Sequence, residues 1–342
     1  MTDYTAYATE QILELVNIPS PTGMTEKATA YLMETLKAMG FAPEKTPKGT
    51  VLCALGGEGH PLLLSAHVDT LGAMVRAIKP NGRLRYMKIG GYADNAIENE
   101  NCLVHTMGGK TYEGTVRPVK ASGHVYGNTA DVVRSDETLE ITLDECVFSK
   151  EDAQKLGIGV GDYVSLDPRA SVSESGYIKT RHLDDKASSG ILLALAKAIK
   201  DGAVILKRQV HLMFTVFEEV GHGASGILPK GIEDMIAVDM GCVGDDLSCT
   251  EQQVSVCLKD SAGPYHYEWT KEICAAADKN EIDYAKDVYP SYSSDTATAL
   301  RAGLEARYAL IGPGVYESHG YERTHVKAVE GTLKLLMAIC GK

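Results

Sequence analysis

The chain has 342 residues, of which 44% are hydrophobic and 23% charged, and its 34 Lys and Arg against 46 Asp and Glu leave a net charge of −12. That length allows two domains or one domain with an insertion, the acidic balance lacks the basic footprint of a nucleic-acid binder, and no apolar run approaches the roughly 20 residues that span a bilayer. The first ten residues show neither a basic n-region nor an apolar h-region, and the eight cysteines form no C-x-x-C pair, so the expectation is a cytoplasmic protein with free thiols and no signal peptide, Cys242, Cys249 and Cys257 fitting no common thiolate zinc spacing.

Residues 5–16 and 25–39 carry apolar side chains at helical spacing, with Gly40 placed to end the second helix and a proline-bearing turn, I-P-S-P-T-G, between them. Residues 50–54 and 61–66 predict strands, the second almost wholly apolar, as a strand covered on both faces should be. His67 arrives where that run stops, and strand alternation would send His67 and Asp69 one way and Val68 into the core.

From Met74 to Pro168 short alternating segments (83–89, 102–106, 111–119, 139–142, 163–166) are separated by Gly, Asn and Asp turns, with no long helical pattern. This predicts a small β-barrel or sandwich inserted into a host domain. The acidic stretch 135–145 reads as a solvated edge, and the glycines of 153–162 lack the spacing of a phosphate loop. The domain assignment is therefore a discontinuous host, 1–73 with 171–342, and an inserted unit, 74–170.

The α/β rhythm then returns. Helices are expected over 187–199, 265–279, 293–302 and 326–339, and strands over 209–217, 235–238 and 307–311, with a loop at 221–228. At 181–190 the sequence R-H-L-D-D-K-A-S-S-G sets two acids just before a helix. Alone such acids are usually caps. Their company points elsewhere: His67 upstream, then Glu218, Glu219, Asp239 and His319 downstream. His67, Glu218, Glu219 and Asp239 each stand at the end of a strand-like run, and His319 follows the run at 308–311 by a short Gly-Pro-Gly loop. In open α/β sheets the ligand crevice lies outside the carboxyl ends of the strands, so residues remote in sequence would converge on one edge.

Imidazole nitrogen and carboxylate oxygen suit zinc, and cobalt suits the same ligands. Two divalent ions need a bridging carboxylate, which sits best on Asp184; His67 and Asp239 would complete one shell, Glu219 and His319 the other. Glu218, thrown to the other side of the chain if strand geometry continues, would serve as general base, and Asp69 would orient His67 through its second ring nitrogen. His325 competes with His319, but it opens the last helix. Arg181, His222 and Arg323 lie near these motifs and offer cations to an acidic group, but loop cations are more often plain surface charge.

The chain resembles the M42 family of metallo-aminopeptidases, related to the M28 and M20 co-catalytic zinc hydrolases. The resemblance is carried by A-H-V-D-T-L-G-A-M-V at 66–75, R-H-L-D-D-K-A at 181–187, F-E-E-V-G at 217–221, A-V-D-M-G at 237–241, S-D-T-A-T-A at 294–299 and S-H-G-Y-E-R-T-H at 318–325. It implies an α/β mixed-sheet zinc-peptidase (phosphorylase/hydrolase-like) domain carrying an inserted β-barrel or PDZ-like domain that builds dimers and, in many members, a dodecamer. It implies two metal ions on His67, Asp184, Glu219, Asp239 and His319, a general base at Glu218 and a supporting acid at Asp69. Gly221-His222-Gly223 and the stretch 318–325 depart from the usual family pattern and resemble a branch associated with bacterial osmolyte gene clusters. The expected activity is removal of N-terminal residues from short peptides by a homo-oligomer. The alternatives are an amidase or deacylase of blocked small substrates and a non-catalytic assembly component.

Overall fold

The structure is a computed structural model that describes residues 2–342. It divides into two units, one made of the chain up to Asp69 together with Arg169–Lys342, the other Thr70–Pro168.

The first unit is built on a mixed sheet of 13 strands. Its centre is a parallel set in which β1 (Leu62–His67) lies between β2 (Val210–Thr215) and β3 (Asp234–Val238), with β4 (Arg307–Tyr316) beyond β3. All six residues of β1 are buried, as the unbroken apolar run predicts for a strand covered on both faces. Register brings the strand ends level: Thr215 pairs with His67, Ala237 with Ser65 and Val238 with Ile311. The residues that leave these ends therefore start from one edge.

Helix α1 (Tyr4–Val16) is capped by Asp3, whose carboxylate accepts from the backbone N–H of Thr5 and Ala6, and it buries Ala8, Ile12, Leu15 and Val16. It packs on α2 (Leu183–Lys200), and α2 packs in turn on α3 (Val326–Cys340), so the main apolar core joins these helices to the sheet. The second unit is a closed six-stranded barrel with its own core, which includes Val75, Leu84, Tyr86, Val104, Ile141 and Val164.

Three expectations change. Gly312-Pro313-Gly314 is not a loop but the middle of β4, paired with Val254–Asp260, a strand the sequence reading passed over. Only glycine fits at 312, because a Cβ there would lie 1.9 Å from the carbonyl oxygen of Asp239. The acidic stretch at 135–145 is solvated only in part, with Glu137, Asp144 and Glu145 exposed. It contains the barrel strand Leu139–Leu143, in which Glu140, 1% exposed, is paired by Lys79 at 2.5 Å and by Arg83. Residues 322–325, to which the sequence assigned no element, form a strand pairing with Tyr177–Thr180, and His325 opens the last helix as expected. Finally, strand geometry does not continue through Glu218: Phe217 turns into the left-handed region and Glu218–Val220 forms a single 3-10 turn.

Candidate active site

Asp184 lies at the start of α2, where Asp184 and Asp185 are non-helical and joined by a cis peptide bond. Its carboxylate is turned so that Oδ1 faces Nε2 of His67 at 2.9 Å and Oδ2 faces Nε2 of His319 at 3.3 Å. Glu219 Oε2 lies 3.5 Å from the same His319 nitrogen. His67, Asp184 and Glu219 place one ligand atom each within 4.8 Å of one another, and so do His67, Asp185 and Asp239. Four strand ends and one helix start thus deliver His67, Asp184, Glu219, Asp239 and His319 to one place.

The two remaining predicted residues stand beside them. Glu218 Oε2 is 3.8 Å from His67 Nε2, outside the Asp184 bridge. Asp69, fully buried, accepts from the backbone N–H of Glu218 at 3.2 Å, that of Glu219 at 3.4 Å and the Thr22 hydroxyl at 2.7 Å. Its relation to His67 differs in detail from the expectation. The second ring nitrogen meets the backbone carbonyl of Asp69 at 2.9 Å, while the carboxylate is at 3.6 Å. The ring is oriented by that carbonyl, and the carboxylate mainly holds the turn bearing the two glutamates.

Crowding acids in a dry place has a price in protonation. Burial, then the charges of Asp295, Asp239 and Glu219, push the Glu218 carboxyl well above its ordinary range despite His67. Burial and the Asp184 charge do the same to Glu219, and they raise Asp239 to about 7. Asp184 goes the other way: burial would raise it, but the hydrogen bonds from His319 and His67 outweigh burial and hold it below the usual carboxylate range. Buried carboxylates this close together, with Glu219 Oε1 making no hydrogen bond among the described residues, call for cationic charge that two imidazoles do not supply. The donor set, imidazole nitrogen and carboxylate oxygen, fits a pair of divalent ions.

Further residues belong here that the sequence reading left without a role. Glu322 spans two of the site's segments, accepting from the backbone N–H of Asp184 at 3.1 Å and of His319 at 3.0 Å. Asp185 accepts from the His67 N–H at 3.1 Å. Asp295, from the S-D-T-A-T-A stretch, accepts from the Thr215 hydroxyl at 2.5 Å and the Ala224 N–H at 2.8 Å. That contact accounts for glycine at 223, since a Cβ there would lie 2.2 Å from Asp295 Oδ1.

Asp184, Glu218, Glu219, Asp239 and His319 line a cavity of about 430 Å³, with Ser291, Tyr292, Ser293, Thr298 and Arg301 also on its wall. Arg181, His222 and Arg323, the three cations near the motifs, are not on that wall. Arg181 is buried and donates to the Gly320 carbonyl at 3.1 Å, Arg323 forms a two-pronged pair with Glu251, and His222 stacks on Phe217. Arg301 was missed because nothing local marks it; it ends the helix Asp295–Arg301 and has no ion pair among the described residues. His325 is taken up as the N-cap of α3, with Nδ1 accepting from Lys327 at 3.0 Å and Nε2 donating to the Ser175 carbonyl at 2.8 Å.

Residues 49–335 match the family model described as M42 glutamyl aminopeptidase. The chain belongs to the M42 aminopeptidase family. Among relatives, the Bacillus subtilis (strain 168) protein named "Putative aminopeptidase YhfE" is 44% identical over 329 residues, 96% of this chain and 95% of its own. Of solved structures, a TET aminopeptidase from the marine sediment archaeon Thaumarchaeota archaeon SCGC AB-539-E09 superposes with a TM-score of 0.89 at 18% identity, covering 98% of this chain and 96% of its own. The Pyrococcus horikoshii TET1 peptidase, described as assembling into a tetrahedron or a large octahedral shell, gives 0.85 at 23% identity, covering 98% and 99%. Both likenesses concern the fold. As an M42 aminopeptidase the protein is a hydrolase of a metal-dependent family. No helix among the described residues is long and apolar enough to cross a membrane.

Proposed function

We propose that this aminopeptidase removes N-terminal residues from short peptides at a dinuclear centre whose ions share Asp184, with Glu218 carrying the proton. The observation that supports this most is the posture of Asp184, one oxygen toward each histidine at 2.9 and 3.3 Å. His67 and Asp239 would hold one ion, Glu219 and His319 the other; zinc suits this donor set and cobalt is the alternative. Ions held by these residues would supply Lewis-acid chemistry, polarising the scissile carbonyl and acidifying the attacking water.

The protein's own groups do the rest. Glu218, on the cavity wall and outside the Asp184 bridge, takes a proton from the attacking water and delivers it to the leaving amine. Asp69 keeps Glu218 and Glu219 in place through their backbone N–H groups. Glu322 keeps Asp184 and His319 in register with each other. Arg301, on the wall of an otherwise acidic cavity, favours substrates that bring a carboxylate, in keeping with the glutamyl preference in the family description.

The barrel unit is proposed to build a homo-oligomer. Its exposed Phe148, Val133 and Met107, each more than 80% accessible, are the kind of apolar surface that a second copy covers. The proposed location is the cytoplasm.

Glu218→Gln tests the assignment. Turnover of a free-amine dipeptide should fall by about 10²–10⁴-fold, the usual share of a general base, while metal content stays at the wild-type value. Retained turnover would remove Glu218 from the proton path, and preference for N-acetylated over free-amine peptides would make the protein an amidase.

A further inference from the structure

Lys48 lies in the turn between Thr46 and Thr50, which is closed by backbone bonds from Thr46 N–H to the Thr50 carbonyl and from Gly49 N–H to the Thr46 carbonyl, both 2.9 Å. Its ammonium reaches the loop that follows the two catalytic-site glutamates. There it donates to the carbonyls of His222, of Gly223 at 2.6 Å and of Ser225 at 2.8 Å, with the Ser225 hydroxyl at 3.3 Å. An ammonium has three donors, so three carbonyls saturate it.

These carbonyls belong to a stretch that lies in no strand or helix. Converging carbonyls with a hydroxyl beside them form the kind of oxygen cage that binds a monovalent cation, and here the cation is covalently supplied by a side chain. The segment from Phe217 to Ser225 is thereby held at three points. Asp69 takes the N–H groups of Glu218 and Glu219, Asp295 takes the N–H of Ala224, and Lys48 takes the carbonyls. Within the segment, Gly221 N–H bonds the Glu218 carbonyl at 2.7 Å and His222 N–H bonds the Phe217 carbonyl at 3.1 Å, so a shift of the loop is passed to the glutamates.

We propose that Lys48 is a positioning residue, its ammonium filling a carbonyl cage that fixes the Glu218–Glu219 turn against the cavity. This rests on the roles given to those two glutamates above. The cage has a use in this chain in particular. Two glycines in a loop of few residues leave the backbone after Glu219 free to turn, and the lysine removes that freedom at the far end.

The test uses the full-length, metal-loaded enzyme with Lys48→Ala and Lys48→Met, and free-amine dipeptide hydrolysis as the readout. Both variants should lose at least about tenfold in kcat, the scale seen for groups that orient metal-site residues, with KM changed less than kcat and metal content unchanged. Added ammonium or methylammonium should restore part of kcat in Lys48→Ala in a saturable way. It should do nothing for Lys48→Met, whose side chain fills the space. Lys48→Arg, which keeps the charge, should retain more kcat than either and serves where Lys48→Ala fails to fold. Wild-type kcat in Lys48→Met would overturn the proposal, as would a loss in Lys48→Ala that neither amine relieves. A Glu218→Gln enzyme that still turns over would instead overturn the role of Glu218, and amine rescue of Lys48→Ala would be unaffected by that outcome.

Discussion

Replacing Asp69 with Asn separates holding the glutamate turn from binding metal, because Asp69 is buried, touches both glutamates through backbone only, and is not among the proposed ligands. Its Oδ2 accepts from Thr22 and Glu219, its Oδ1 from Glu218. The better orientation of an asparagine amide would keep its oxygen toward Thr22 and Glu219 and set its NH2 against the Glu218 N–H, donor facing donor. One buried N–H left unpaired costs about 1–3 kcal/mol, and turning two charge-assisted bonds into neutral ones costs about 1 kcal/mol each. Relief of the buried charge offsets part of this, so a net destabilisation of about 3 kcal/mol is expected. Because the donor left facing NH2 belongs to Glu218, kcat should fall by about 10- to 100-fold even with metal in excess. Thr22→Val removes one bond without disturbing Glu218, so it should cost about 1–2 kcal/mol and leave kcat nearly intact. Thermal unfolding and dipeptide turnover measured on both variants decide it. Wild-type kcat in Asp69→Asn, or equal losses in the two variants, would refute the assignment of Asp69 as the anchor of the turn.

Arg301→Met should raise KM for substrates bearing a carboxylate and leave kcat largely unchanged. Glu-p-nitroanilide against Ala-p-nitroanilide reads a side-chain carboxylate, Ala-Ala against Ala-Ala-amide a C-terminal one, and no change in either comparison would exclude Arg301 from substrate binding. Away from the site, Asp234 receives Arg307 at 2.6 and 2.9 Å and is also paired with Arg208. Burial would raise its carboxyl, but Arg307 and Arg208 outweigh burial and hold it below the ordinary range. Its folded-state value is thus depressed, so its contribution to stability is present above about pH 4, the unfolded value, and is lost as pH falls through the lower folded value. Asp234→Asn should cost about 3 kcal/mol at neutral pH, since it strands a buried guanidinium, and should flatten the acid limb of the unfolding profile. An acid limb identical to wild type would contradict this.

The convergence of the candidate residues was legible because strand runs such as L-L-L-S-A in front of His67 and M-I-A-V in front of Asp239 mark where a sheet delivers side chains to its edge. Parallel register, set by the same apolar runs, then brings those ends level. Glu322 and Asp295 were illegible for a physical reason. Each acts by accepting backbone N–H groups from segments that only the fold brings near, and an isolated carboxylate carries no local sign of that. Arg301 and Lys48 were hidden in the same way, one at the end of a short helix, the other in a T-P-K-G turn. Gly312-Pro313-Gly314 misled because its glycines serve close approach to a neighbouring strand rather than a turn. The buried Glu140 misled because its compensating cations, Lys79 and Arg83, lie some sixty residues away along the chain.

Metal stoichiometry tests the dinuclear reading most directly. Purified protein, stripped with chelator and titrated with zinc or cobalt, should bind two ions per chain by elemental analysis and regain activity with them. Asp184→Asn should weaken both sites at once, while Glu218→Gln should keep both ions and lose about 10²–10⁴-fold in turnover. A wild-type chain that binds no ion, or an Asp184→Asn variant that still binds two tightly, would contradict a shared centre built on Asp184.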